Sequence, residues 1–104
     1  MAWVSLLFAG FLEIVWAFYM KQSQGFTRIW PSVITILAMI ASFALLSLSM
    51  RTLPLGTAYT IWTGIGAVGA FVLGLVVLGE PANTMRIVAA CLIIAGLVLM
   101  KLAS

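Results

Sequence analysis

Glu13 and Glu80 are the only acidic side chains among 104 residues, and Glu13 stands midway along an unbroken apolar stretch from Ala2 to Met20. An ionised carboxylate at mid-depth in a membrane span costs several kcal/mol unless something offsets it. Such a group can take a proton when neutral and a cation when ionised, so its natural chemistry is the exchange of one for the other. The alternative is a structural Glu that stays protonated and hydrogen-bonds a neighbouring helix. The chain offers no other buried charge as its partner.

On a helix of 3.6 residues per turn, Gly10, Glu13, Trp16 and Ala17 share one stripe, with a small residue one turn before the acid and an indole N–H one turn after. Tyr59, Trp62, Thr63 and Gly66 form a second stripe. Its ring faces can box a cation and its polar tips can hydrogen-bond a carboxylate. For Trp and Tyr the competing reading is an aromatic belt at the membrane surface. That reading suits Trp3 and Trp30, suits Tyr59 in part, and fits the deeper Trp16 and Trp62 less well. Ser42 lies at a depth close to that of Glu13 and is a candidate donor to it, although a membrane serine often satisfies a carbonyl of its own helix instead.

Gly64, Gly66 and Gly69 reproduce the G-x-G-x-x-G spacing of a dinucleotide-binding turn. The context rejects that reading: no strand precedes the glycines, there is no room for a βαβ unit, and no acid follows at the required distance. In a membrane helix the same glycines serve close packing and a bend, and a kink is expected there. With no His and a lone Cys91 inside an apolar run, neither a metal site, a disulfide nor Cys/His catalysis is expected. No cofactor and no enzymatic activity are predicted.

The elements that must hold these residues follow from composition. Hydrophobic residues make up 65% of the chain and charged ones 7%, against about 25% charged in an ordinary soluble domain. Lipid is therefore the expected solvent. Apolar runs of about 20 residues, the length that crosses a hydrocarbon core, occur four times, near 2–20, 32–50, 57–78 and 84–102. An all-α membrane protein of four transmembrane helices follows, one domain over 1–104 with hairpin packed on hairpin. Pro31 and Asn83 suit the starts of the second and fourth helices. The first run has no basic flank before it and carries Glu13 in its middle, so it is expected to be a retained span and not a signal peptide.

Five basic residues against two acids give a formal charge of +3. The basic residues sit at the ends of runs or in a loop and form no patch, so nucleic acid is not an expected partner. Arg51 and Lys101 belong to one membrane face, Lys21, Arg28 and Arg86 to the other. Two against three is almost no bias, so such a chain can insert either way up or take one dominant orientation under a weak bias, and charge alone does not choose between them. The fourth run has no polar side chain between Arg86 and Lys101 except Cys91, and its small residues Ala90, Ala95 and Gly96 make it a candidate for self-association.

Along essentially its whole length the sequence resembles the small multidrug resistance family of bacterial transporters, and within it the guanidinium-exporter subtype. The resemblance rests on Glu13 between Gly10 and Trp16, the connection Gly25-Phe26-Thr27-Arg28 leading to Trp30-Pro31-Ser32-Val33, the stretch from Pro54 through Tyr59 and Trp62 to Gly69, the Gly79-Glu80-Pro81 turn and Lys101. It implies a proton-coupled antiporter of the bacterial inner membrane that works as an antiparallel homodimer in contact through the fourth helix, with both Glu13 side chains at a shared site and the two protomers exchanging shapes to expose it to alternate sides. It further implies Glu13 as the residue that binds substrate and proton, with Gly10, Trp16, Ser42, Tyr59 and Trp62 lining the site or orienting the carboxylate. The alternatives are export of quaternary-ammonium or other drug cations by the same scaffold, or a non-transporting partner subunit, for which a stronger Lys/Arg bias is expected.

Overall fold

The computed structural model describes residues 1–104 as four helices and no strands: α1 (Ala2–Gln22), α2 (Ile29–Ser49), α3 (Leu55–Val76) and α4 (Thr84–Leu102). All four are long and apolar enough to cross a membrane. Their boundaries differ from the sequence expectation where a cap decides. Arg28, in extended conformation, caps α2, so that helix starts before Pro31 and the proline falls in the first turn, where its missing N–H removes no helical bond. Pro54 occupies the equivalent position before α3, and that helix begins at once after it. Asn83 caps α4 as expected, its Oδ1 accepting from the Arg86 N–H at 2.9 Å.

The helices form a flattened layer: the Cα trace measures 39 × 35 × 16 Å, less than half as thick as it is wide. α1 packs extensively on both α2 and α3, α2 and α3 also meet, and α4 packs chiefly on α3. The α1–α2 hairpin thus lies against the α3–α4 hairpin, mainly through α1 and α3. A layer buries little: 15 of 104 residues are inaccessible, and α4 contributes no buried residue. The small core of Leu6, Ala9, Leu46, Ala58, Ile61 and Trp62 lies where α1 meets its two neighbours. Phe8, Phe11, Ile40 and Leu92 face outward, which lipid tolerates and water would not.

Glycines set how closely the helices approach. A methyl group on Gly10 would strike Ile65, one on Gly69 would strike Ile14, and one on Gly64 would strike Leu97 of α4. Gly64, Gly66 and Gly69 all lie within the one helix α3, and they bring it into close contact with its neighbours. The up-down order places Lys101 beside Trp3, its Nζ 4.3 Å from the ring centroid. Lys21 and Arg86 line one cavity at the other end of the layer.

Candidate functional site

Glu13 lies on the face of α1 that meets α3. Its Oε1 is buried and has no hydrogen-bond partner. The carboxylate rests directly against Gly66, where any Cβ would overlap it. One turn further along α1, the Trp16 Nε1–H is also buried without a partner. An unmade hydrogen bond at a buried polar atom costs about 1–3 kcal/mol, more for a charged group, so two such atoms a turn apart mark groups kept free for something else. The Trp16 ring is held by an edge contact with Phe43 of α2, centroids 6.3 Å apart.

Ser42 does not reach Glu13. Its Oγ donates to the carbonyl of Ala9 on α1 at 2.7 Å and accepts from the Trp62 Nε1–H at 3.0 Å. The expected donor to the acid is thus the joint of a three-helix bridge. Ser42 of α2 ties Trp62 of α3 to the backbone of α1 at Ala9, one turn before the carboxylate. The bridge is dry, with Ser42 fully buried and Trp62 only 6% exposed. It fixes α2 and α3 on either side of Glu13, a positioning effect that depth alone could not distinguish from direct donation.

Tyr59 packs on Trp62 with ring centroids 5.6 Å apart and remains 51% exposed. Phe43, which the sequence did not single out, stands between Trp16 and Trp62, its ring 5.7 Å from that of Trp62. Trp16, Phe43, Trp62 and Tyr59 therefore make one run of rings across three helices. Phe43 is the residue after Ser42, and that adjacency was the only signal for it. Gly10, expected in the lining, sits in the α1–α3 contact against Ile65.

A layer of membrane-length helices carrying a free carboxylate at mid-depth has the form of a membrane transport protein, because intramembrane acids of this kind mark ion and substrate pathways. Comparison with known proteins completes the assignment: residues 1–93 match the family model described as Small Multidrug Resistance protein, and the chain belongs to that family. It is 56% identical over 104 residues to the guanidinium exporters of Citrobacter freundii and Salmonella typhimurium. It is 54% identical to the guanidinium exporter of Escherichia coli strain K12. Each of these alignments covers 100% of this chain and 99% of the relative.

Proposed function

We propose that this transporter exports guanidinium and related small planar cations across the bacterial inner membrane in exchange for protons, as an antiparallel homodimer with Glu13 at its centre. The observation that carries this reading is the unpartnered pair of Glu13 Oε1 and Trp16 Nε1–H. A carboxylate lacking a donor matches a ligand made only of donors, and guanidinium is a flat fork of N–H groups that a carboxylate grips in bidentate fashion. The names of the relatives point to the same cargo. A proton satisfies the same oxygen when the cation leaves, and a single acid serving both ligands in turn couples their movements.

The Trp16 N–H supports the dimer. Guanidinium has no acceptor to offer it, so this donor calls for a second carboxylate. The partner's Glu13 supplies one when an inverted copy lies over the open face of the layer. The near-equal Lys/Arg count at the two ends of the layer allows copies of both orientations. Two inverted copies are the two-chain equivalent of the inverted repeats that longer transporters carry, and rocking between their shapes exposes the site to alternate sides. α4, which has no buried residue, offers its open side to its counterpart.

Uptake into proteoliposomes under an imposed pH gradient tests the reading. Guanidinium should move against its own gradient in the wild type and not in Glu13→Gln. Uphill transport by Glu13→Gln would overturn it. The run of four rings also suits a quaternary ammonium ion, which needs ring faces and no hydrogen bonds. A bulky quaternary cation transported in preference to guanidinium in the same vesicles would establish that cargo instead.

A further inference from the structure

Glu80 repeats, at the membrane surface, the seating of Glu13. The Glu80 N–H donates to the Gly74 carbonyl at 2.8 Å across the end of α3, and its carboxylate lies against Gly74 so closely that any Cβ there would overlap it. Gly66 and Gly74 are eight residues apart on one helix, about 12 Å at a rise of 1.5 Å per residue. Two glycines of α3 thus each seat a carboxylate from another part of the chain. The second of these carboxylates is occupied. Arg86 Nη2 stands 3.7 Å from Glu80 Oε1, its Nη1 donates to the Pro81 carbonyl, and its guanidinium carbon lies 5.2 Å from the centroid of the Phe71 ring.

Carboxylate, carbonyl and ring face around one guanidinium make a recognition site for that group, here filled from within the chain. Beneath the connecting loop 77–83 lies a cavity of about 340 Å³ between α1 and α3, lined by Ala17, Phe18, Ala67, Ala70, Lys21 and Glu80 among others. Ala17 is one turn from Glu13, and Ala67 follows Gly66. The loop that Arg86 fastens therefore covers the outer end of a space whose inner end is a turn from the central acid.

We propose that the α3–α4 corner is a second guanidinium site, held in the resting chain by Arg86 as a built-in ligand, and that free guanidinium displaces Arg86 from Glu80 and loosens the loop over the cavity. The exposure of both partners, 36% and 42%, leaves the pair weakly held. A ligand tethered by a short linker acts with an effective concentration in the millimolar range. Free guanidinium accordingly competes at millimolar concentration, which makes the corner a low-affinity response to abundant cargo. Lys21, lining the same cavity, discourages a simple cation from settling there on charge alone, so the fork geometry decides what binds.

The release step presupposes guanidinium as cargo, so binding is measured on Glu13→Gln protein in lipid nanodiscs, where the central site cannot contribute. With arginine side chains isotope-labelled for NMR, guanidinium chloride should move the Arg86 Nε resonance saturably, whereas sodium chloride or tetramethylammonium chloride at equal ionic strength should not. Adding Arg86→Ala should tighten guanidinium binding at least tenfold by removing the internal competitor, and adding Glu80→Gln to that variant should abolish it. Arg86→Lys, which keeps the charge without the fork, gives the same test should the alanine variant not fold. Equal shifts with all three salts, or no binding once the fork of Arg86 is gone, would overturn the proposal. Wild-type transport of guanidinium without corner binding removes only the second site, while corner binding without transport removes only the cargo assignment.

Discussion

Two carboxylates rest on glycines of one helix, and they differ in what answers them. Glu80, at the surface, has a guanidinium beside it from its own chain. Glu13, inside the span, has a buried oxygen with no partner. The chain therefore contains the means to neutralise an acid locally and does not use it where burial makes a lone charge most costly. An acid left open at that cost is what the proposed exchange of cation and proton requires. The same contrast runs through the packing. The Glu13 region is framed by three helices and a fully buried serine bridge, whereas the α4 side has no buried residue at all.

The widest separation between the two acids should appear in transport. Glu13→Gln removes the only anionic acceptor at the central site, and hydrogen bonds to charged groups are worth about 1.5–3 kcal/mol each. Two of them lost from a bidentate grip amount to about a hundredfold or more in affinity. Isothermal titration with guanidinium should register that loss in Glu13→Gln, with Glu80→Gln within a few-fold of wild type. Comparable losses in both variants would erase the distinction drawn here. Acidification should follow next in size. If protons and guanidinium use the same oxygen of Glu13, as proposed, the cation binds the deprotonated form, and its apparent affinity should fall as pH falls, reaching about tenfold per pH unit where Glu13 is mostly protonated. In the proposed dimer, with two Glu13 side chains in one site, the titration belongs to the pair. Affinity that does not change with pH would rule out a shared site.

The two glycine seats allow a closer test. In Gly66→Ala the new methyl meets the carboxyl end of Glu13, which can swing aside because it is the tip of a flexible side chain. The expected result is about tenfold weaker guanidinium binding from a misplaced carboxylate, since a shift of about 1 Å can cost far more than that in a positioned group, with thermal stability close to wild type. In Gly10→Ala the methyl meets the β-branched Ile65 near its backbone, 2.9 Å from Cβ, and cannot be accommodated so cheaply. That variant should lose about 1–3 kcal/mol of stability by overpacking. Thermal unfolding beside binding, for both variants, separates a seat for a side chain from a seat for a helix.

Much of this arrangement was legible in the residues, for identifiable reasons. Runs of apolar side chain as long as the bilayer is thick leave few alternatives, so the four spans and the depth of Glu13 follow from composition alone. Asn83 announces the start of α4 by its capping chemistry. The lateral order of the helices was not legible. α1 lies between α2 and α3 because Gly10, Gly66 and Gly69 admit α3 on one side while Ser42 hydrogen-bonds the Ala9 carbonyl on the other, and no periodicity in one helix reports which neighbour its glycines will meet. The role of Ser42 was missed for a related reason: a hydroxyl at the right depth has several acceptors within reach, and only packing selects one. Phe43 carries no polar group and gives no sign in sequence that it sits between two indoles.

The bridge predicts a smaller effect than the seats. Ser42→Ala leaves the Trp62 N–H buried and unpaired and removes the tie to Ala9. Side-chain hydrogen bonds between membrane helices average about 0.6 kcal/mol, and an unpaired buried donor costs about 1–3 kcal/mol. A loss of about 1–2 kcal/mol in thermal or denaturant unfolding is expected, with cation affinity reduced only as far as α2 and α3 drift from Glu13. Trp62→Phe removes the donor together with the unmet need it would leave. It should therefore cost less stability than Ser42→Ala, although it deletes more atoms. The smallest change belongs to the outer pair. Glu80 and Arg86 are each more than a third exposed, and exposed ion pairs contribute about 0.2–1 kcal/mol, so Glu80→Gln should shift unfolding by less than the Ser42 variant and by less still at high salt. A Glu80→Gln loss that exceeds the Ser42→Ala loss and persists in high salt would mean that the corner, and not the bridge around Glu13, is the structural keystone of the layer, and the reading of one acid as reserved and the other as satisfied would have to be reversed.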